Sequence, residues 1–274
     1  MPRIKTNLSP RLQAMTLIEI LVVIFIISLL LAILIPALNG SKNQGKQIVC
    51  RVNLRQLALA NESYANEHCG YSVPGAFDIY TENLHRWYGL RKSKTDPFEP
   101  SKGPLASYLS GAVIQCPEKV SYSVLSPEMA DYEQGNGGYG YNLAYLGSRI
   151  WQAGYEAHGC RESTRMNEIK RPQETLLFSD TAMVKRIDGQ VRLIQYPFAE
   201  PRFFIVSQKP EPAWAPFPSI QFRHRKKANV AWADGHVDDR KMGDYDQMNS
   251  DGTTSSAYHI GWFAPMDNSP FDLE

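Results

Sequence analysis

Four side chains in the C-terminal half of the chain are of types that bind metal ions or transfer protons. Asp180 ends an apolar stretch, and His224 precedes a second one. Asp234 and His236 follow that second stretch. Carboxylate and imidazole groups together can hold a divalent cation, so these four residues are the candidate metal ligands. We favour a structural role, because Asp234 precedes a glycine and suits a tight turn, while His224 can hydrogen-bond a hairpin and fix its register. We therefore predict no bound metal and no cofactor.

Catalysis has no readable signature in this chain. Ser179 beside Asp180 is not in a Gly-x-Ser-x-Gly setting, and the sequence has no phosphate-binding glycine loop. Neither a nucleophile with its base nor a matched pair of carboxylates can be identified, so we predict that the protein is not an enzyme. The net charge is +1 with a pI of ≈ 7.7. The basic run 223–227 is short enough to be an exposed turn, so we expect no nucleic-acid partner.

An apolar run from Met15 to Leu38 dominates the N-terminal part of the chain. Four residues interrupt it: Thr16, Glu19, Ser28 and Pro36. About 20 apolar residues in a helix cover the roughly 30 Å hydrocarbon core of a bilayer, whereas the apolar core of a secretory signal has only about 7 to 15. A buried helix of a soluble protein would show a polar face, which this run lacks. We predict a transmembrane helix over residues 15–38.

The charges in and around this helix bear on its orientation and on its partners. Residues 1–14 carry three basic residues and no acid, which is typical of a segment that stays in the cytoplasm. Basic residues also follow the helix, with no acid before Glu62, so charge alone does not choose an orientation. Glu19 lies within the apolar run, where a charge costs about 2.5 to 3.5 kcal/mol at the helix centre and less near the end. We expect such a group to have a partner.

The basic leader, Ala14, the string Met15-Thr16-Leu17-Ile18-Glu19 and the long apolar helix resemble the processing site of type IV pilins and type II secretion pseudopilins. The resemblance implies that prepilin peptidase cuts between Ala14 and Met15 and that the new amino group of Met15 is methylated. It also implies that Glu19 pairs with the amino terminus of a neighbouring subunit, and that Pro36 is a helix-kinking proline. Ala14 departs from the pattern, in which glycine usually precedes the cut.

The rest of the chain predicts a longer helix and a head. Residues 39–69 lack a further proline and place apolar residues at helical intervals, which predicts an amphipathic continuation that Gly70 stops. Residues 70–274 alternate short apolar segments with turn residues, which predicts one head of strands and loops. Hairpins are expected at Asp188-Gly189 and at Asp234-Gly235. The predicted fold class is α+β, with a long N-terminal helix followed by a mostly antiparallel sheet.

In the head, nine residues separate His224 from the pair Asp234-Gly235. This His-x9-Asp-Gly spacing resembles the signature of a large group of prepilin-like proteins, best known from planctomycete and related bacteria. Further segments agree with this resemblance: Cys50–Leu57, Cys116-Pro117, Tyr139–Asn142 and Leu176–Asp180.

The chain has four cysteines: Cys50, Cys69, Cys116 and Cys160. They are far apart and include no Cys-x-x-Cys pair, so a metal site built on thiolates is not expected. Outside the cytoplasm they allow up to two disulfides, with three possible pairings. We predict a bridge between Cys50, on the helix, and Cys116, in the head, with two free buried thiols as the alternative.

These observations predict a pseudopilin-like structural subunit of a type II secretion or type IV pilus-like assembly. The alternative is a membrane-tethered protein whose helix is only an anchor and whose head binds a glycan or another exported ligand. We expect a single-pass protein of the bacterial inner membrane, with its N-terminus in the cytoplasm and its head in the periplasm or on an extracellular filament. The expected partners are prepilin peptidase and other pilin-like subunits.

Overall fold

The computed structural model describes residues 16–109, 114–118, 120, 134–154, 156–206, 209–210, 216–243, 253–265 and 267–274. The chain divides into two compact units, of which the first ends at Gln44 and the second is Gly45–Glu274. The predicted leader, residues 1–14, and the predicted cleavage site between Ala14 and Met15 lie outside the described residues.

A single long helix, α1, covers Leu17–Glu67. Its start is a capping box formed by Thr16 and Glu19. The Glu19 amide donates to Thr16 Oγ1 over 3.3 Å, and the Thr16 amide donates to Glu19 Oε2 over 2.8 Å. Two amides that would otherwise lack a helical partner are thereby satisfied.

The helix α1 ends at Glu67, close to residue 69, where the sequence predicts its end. Gly70 has a φ of +85° and donates its amide to the carbonyl of Ala65 over 2.8 Å. A glycine in this left-handed conformation satisfies a carbonyl of the last turn and ends the helix.

The apolar half of α1, Leu17–Leu38, exposes large apolar side chains on all of its faces. Their exposed fractions run from 45% at Leu31 to 80% at Leu17. The helix continues through Pro36, which has no N–H and leaves one carbonyl of the preceding turn without its helical partner. By length and composition, α1 can cross a membrane.

The second unit contains short strands. In chain order they are β1 His85–Arg86, β2 Gly89–Leu90, β3 Tyr139–Tyr141, β4 Leu176–Asp180, β5 Met183–Ile187, β6 Gln190–Ile194, β7 Ile205–Val206, β8 Lys209–Pro210, β9 Ile220–Gln221, β10 Lys227–Trp232, β11 Val237–Lys241 and β12 Ile260–Gly261. Short 3-10 helices lie at Pro100–Lys102, Ala106–Leu109, Ala157–Arg161, Met166–Glu168 and Ser255–Tyr258, and a π-helical turn lies at Leu143–Gly147.

A four-stranded sheet is the centre of this unit. Its order is β11-β10-β4-β3, and each neighbouring pair is antiparallel. The other strands pair two by two, again antiparallel: β1 with β2, β5 with β6, β7 with β8 and β9 with β12. The predicted α+β class, a long N-terminal helix followed by antiparallel sheet, is confirmed.

Both predicted hairpins are present, with different turns. Asp188 and Gly189 have φ of 50° and 75°, as a two-residue type I′ turn between β5 and β6 requires. Between β10 and β11, the Gly235 amide donates to the carbonyl of Trp232 over 2.8 Å, and Gly235 has a φ of +84°. Four residues, 233–236, connect these two strands, and the third of them is the left-handed glycine.

The head half of α1, Gly45–Glu67, packs against the central sheet. Its buried residues recur at helical intervals along one face: Cys50, Leu54, Leu57, Ala58, Ala60, Asn61 and Ala65. Polar side chains beside this face hydrogen-bond to the strands. Asn53 Nδ2 donates to the Tyr139 hydroxyl over 3.1 Å, and Arg51 Nε donates to Asn229 Oδ1 over 3.2 Å. The helix is therefore held by apolar contact and by polar contacts to β3 and β10.

We expect Leu54→Ala to lower the free energy of unfolding by about 2–5 kcal/mol, because it empties a fully buried position between α1 and the sheet. Val52→Ala is the matched control, since Val52 lies on the same helix and is 50% exposed. The control should change stability by no more than about 0.5 kcal/mol. Denaturant unfolding of the full-length protein in detergent measures both, and equal losses would contradict the packing of this face.

Candidate functional site

Two cysteines, an aspartate and a histidine meet inside the second unit. Cys50, Cys116, Asp180 and His224 each offer one ligand atom, and these four atoms lie within 4.8 Å of one another. All four residues are buried. We call this set the buried cluster.

The members of the buried cluster come from separate parts of the fold. Cys50 lies on the buried face of α1, and Asp180 is the last residue of β4. His224 forms an isolated antiparallel bridge with Lys227, the first residue of β10. The two residues between them have φ of 55° and 63°, which is the conformation of a type I′ turn. This turn brings the histidine back against the end of the sheet.

Cys116 is positioned by a close crossing of two segments. Its amide donates to the carbonyl of Gly137 over 3.0 Å, and Gly137 has a φ of +68°. A Cβ at Gly137 would lie 1.9 Å from the carbonyl oxygen of Ile114. Only glycine allows the backbones to approach this closely in this conformation.

The Asp180 carboxylate is the centre of the hydrogen-bond network. Its Oδ1 accepts from the Cys50 thiol over 3.2 Å, and its Oδ2 accepts from the main-chain amide of Asn229 over 2.8 Å. His224 Nε2 lies 3.5 Å from Asp180 Oδ2 and 3.4 Å from Cys116 Sγ. One side chain thus joins α1, β4, β10 and the turn that carries the histidine.

Arg223 and Tyr139 complete the surroundings of the cluster. Arg223 Nη2 donates to two main-chain carbonyls, each over 2.7 Å, and its Nε lies 3.9 Å from Asp180 Oδ1. The guanidinium therefore places a positive charge beside the buried carboxylate, which a buried ion requires. The Tyr139 hydroxyl donates to Cys50 Sγ over 3.4 Å.

These contacts shift the pKa values of the cluster. Burial raises the pKa of Asp180, but Arg223 and His224 outweigh it and hold the pKa below its ordinary value. Burial lowers the pKa of His224, but hydrogen bonds to Asp180 and Cys116 raise it to about 9. Hydrogen bonds from Cys50 and His224 lower the pKa of Cys116 to about 5, whereas burial raises the pKa of Cys50. The shifts in the pKa values of Cys116 and His224 thus have opposite directions and a shared cause, the contact between the sulfur and the imidazole.

A cysteine paired with a histidine is also the arrangement of a nucleophilic enzyme. Here Cys116 is 7% exposed and Cys50 is 0% exposed, so the pair is closed to a substrate. The buried cluster is suited to hold α1 and β4 to the segments that carry Cys116 and His224. Its four donor atoms, two sulfurs, one nitrogen and one oxygen, also form a set that binds borderline-soft divalent metals.

The four metal-ligand candidates named from the sequence separate into two pairs. Asp180 and His224 belong to the buried cluster. Asp234 and His236 lie beyond the other end of β10, where both are exposed and pair with each other over 2.6 Å between Oδ1 and Nδ1. The structure therefore does not bring the four together.

The third residue of the His-x9-Asp-Gly pattern contacts the helix. The carbonyl of Gly235 accepts a hydrogen bond from Arg55 of α1. A Cβ at Gly235 would lie 2.8 Å from Arg55 Nη1, and the φ of +84° also favours glycine. The nine intervening residues are the two-residue turn, the strand β10 and the start of the next turn. Both ends of the pattern thus lie against α1.

Cys50 and Cys116 were predicted to lie together as a disulfide, but not beside Asp180 and His224. Cys50 and Asp180 are 130 residues apart, and Cys116 and His224 are 108 apart. A signal was present in the five segments that carry the prepilin-like resemblance, because each contributes a side chain here: Cys50, Cys116, Tyr139, Asp180 and His224. Cys50 and Cys116 are free thiols in the structure, and the bridge between them stays a prediction.

The chain was compared with known protein families, curated proteins and solved structures. None of the three comparisons gives a match.

Asp180→Asn removes the buried negative charge and leaves Arg223 and His224 beside a neutral amide. We expect the free energy of unfolding at neutral pH to fall by about 3–5 kcal/mol. The folded pKa of Asp180 lies below its unfolded value. The difference in free energy of unfolding between wild type and variant is therefore complete above about pH 4 and disappears as the pH falls through the folded pKa of Asp180. Urea unfolding at a series of pH values measures the difference.

The matched control for this change is Asp188→Asn in the exposed turn between β5 and β6. Asparagine tolerates the positive φ of that position, so we expect a change within about 0.5 kcal/mol. If Asp180→Asn costs no more than the control at neutral pH, the buried carboxylate does not stabilise the head.

Proposed function

We propose that the chain is a pseudopilin-like structural subunit of a type II secretion or type IV pilus-like assembly, processed by prepilin peptidase. The observation that carries this proposal is the two-part character of α1. Its apolar half exposes apolar side chains on all faces, while its head half buries one face against the sheet. A subunit that is stored in a bilayer and then enters a filament needs a helix of this kind.

The apolar half requires a covering in either location. Lipid chains would cover it in the membrane, and the same halves of neighbouring copies would cover it in a filament. Exposure to water would cost about 25 cal/mol for each Å² of apolar surface. In lipid, however, helices do not associate through the hydrophobic effect, so packing and polar contacts must favour a neighbour over lipid. Glu19 supplies a polar group for this purpose.

The capping box explains the position of Glu19 but not its charge. Glu19 Oε2 accepts from the amide of Thr16 over 2.8 Å and from its hydroxyl over 3.0 Å. Both donors are neutral, and glutamine fills the same place in capping boxes. A protonated amino terminus on a neighbouring copy would supply the opposite charge that a carboxylate near a membrane interior needs.

We expect Glu19→Gln and Glu19→Ala to reduce assembly alike, by at least about tenfold, because both remove the charge whose pairing offsets its cost in the membrane. That cost is less than the about 2.5 to 3.5 kcal/mol of a charge at the helix centre, and a tenfold change needs about 1.4 kcal/mol. Assembly is measured in cells by crosslinking through a cysteine placed at Leu30, which is 62% exposed. A Cys69→Ser background removes the exposed native thiol.

A cysteine at Phe217, an exposed residue of the head, is the control for crosslinking that does not involve the helix. Normal assembly of Glu19→Gln together with a loss in Glu19→Ala would show that only the cap matters. If wild-type copies never crosslink through position 30, the helix is an anchor, and the tethered binding protein becomes the better explanation.

A small cavity in the head gives that alternative no support. It has a volume of ≈ 30 Å³ and lies among Leu57, Trp87 and Tyr139. Such a space holds at most a few water molecules, whereas pockets for small-molecule ligands are typically about 300 Å³ or larger.

Processing gives a separate prediction. Mass spectrometry of the protein isolated from its native membrane should find an N-terminus at Met15 that carries a methyl group on its amino nitrogen. Ala14→Asp, which replaces the small residue before the cut, should leave the leader attached. Native protein that still begins at Met1, or that begins downstream of Pro36, would contradict the proposed processing.

A further inference from the structure

The buried cluster has a chemistry that helix assembly does not use. We propose that it is a zinc site in which the four protein ligands are Cys50, Cys116, Asp180 and His224. The site would fasten α1 to the sheet and to the segments that carry Cys116 and His224. This inference stands whether or not the chain assembles into a filament.

The spacing of the donor atoms fits a tetrahedral ion. Zinc lies about 2.3 Å from sulfur and about 2.0–2.1 Å from nitrogen or oxygen, so ligand atoms in a tetrahedron are separated by about 3.3–3.8 Å. The structure gives 3.2 Å from Cys50 Sγ to Asp180 Oδ1, 3.4 Å from Cys116 Sγ to His224 Nε2 and 3.5 Å from that nitrogen to Asp180 Oδ2. All four ligand atoms lie within 4.8 Å of one another, so they would have to draw together by up to about an ångström to complete the coordination.

The donor types select zinc over the harder cations. Two thiolates, one imidazole and one carboxylate suit zinc and related ions. Calcium and magnesium take six or more oxygen ligands or ordered water, which two sulfurs and a nitrogen do not provide. Four protein ligands leave no open position, which is the mark of a structural rather than a catalytic zinc site.

The charges around the cluster agree with a dication. Two thiolates and one carboxylate carry three negative charges, and zinc compensates two of them. Arg223, whose Nε lies 3.9 Å from Asp180 Oδ1, supplies the third positive charge. Zinc binds both cysteines as thiolates and the histidine as a neutral imidazole, so binding releases two protons to solvent.

The groups around the ligands are those that orient a metal site. The Tyr139 hydroxyl donates to Cys50 Sγ over 3.4 Å, and the main-chain amide of Asn229 donates to Asp180 Oδ2 over 2.8 Å. Donors of this kind hold thiolate and carboxylate ligands in place around a metal. Both come from strands of the central sheet, so the site would be built on rigid elements.

The predicted disulfide between Cys50 and Cys116 competes with this site. A sulfur that takes part in a disulfide is no longer a thiolate and cannot ligate zinc in the same way. The two states therefore exclude each other, and one preparation of the protein can distinguish them.

The test uses tag-free full-length protein, purified in detergent without added metal or chelator. Elemental analysis should find about one zinc ion per chain, and replacement by Co²⁺ should give the visible absorption of a tetrahedral ion with thiolate ligands. Removal of zinc by a strong chelator should lower the melting temperature, and added Zn²⁺ should restore it.

Cys116→Ser and His224→Gln each remove one ligand and should weaken zinc binding by more than about tenfold. Cys69→Ser is the matched control, because Cys69 is an exposed cysteine outside the cluster, and it should bind as the wild type does. Wild-type protein that contains no zinc and gives a disulfide-linked peptide pair of Cys50 and Cys116 would overturn the proposal. So would wild-type protein with free thiols that takes up neither Zn²⁺ nor Co²⁺, a result that needs no variant to fold.

Discussion

A carboxylate with no exposure to solvent is stable only if the surrounding protein replaces the water it has lost. At Asp180 that replacement comes from the Cys50 thiol, the Asn229 amide, the His224 ring and the charge of Arg223. These groups belong to α1, to β10 and to the turn that precedes β10, so none of these elements can shift without leaving the charge unsatisfied. The position of the helix on the sheet, the register of β10 and the geometry of the turn all follow from this requirement.

The helix α1 must satisfy two different environments along one continuous segment. Its head half can use an ordinary amphipathic pattern, because the sheet covers one face and water the other. Its apolar half has no such division, and every face carries side chains that water would not favour. The single acidic residue there lies at the start of the helix, within the capping box. At that position the carboxylate has a local role in helix geometry, and in the proposed assembly it would also pair with an amino group of another chain.

The sequence allowed some of these features to be predicted because their causes are local. Hydropathy and helical intervals gave the extent of α1, and Asp188-Gly189 gave the β5–β6 hairpin through its turn chemistry. The Thr16-x-x-Glu19 pattern was equally local and could have predicted the capping box. The buried cluster is different in kind. In two of its contacts the residues are more than a hundred positions apart in the chain, so only the fold brings them together. Asp234 and His236 were grouped with Asp180 and His224 as side chains that could meet at the ends of adjacent strands, but the length of β10 separates the two pairs.

The strand β10 works as a spacer of fixed length. It separates the histidine that enters the buried cluster, to which α1 contributes Cys50, from the glycine whose carbonyl accepts a hydrogen bond from Arg55 of the same helix. Side chains alternate between the two faces of a strand, so the loss or gain of one residue within this interval would turn one end away from the helix while the other stayed in place. A change in chain length inside this interval would therefore separate the two contacts, whereas a change in the connections outside it leaves their spacing intact.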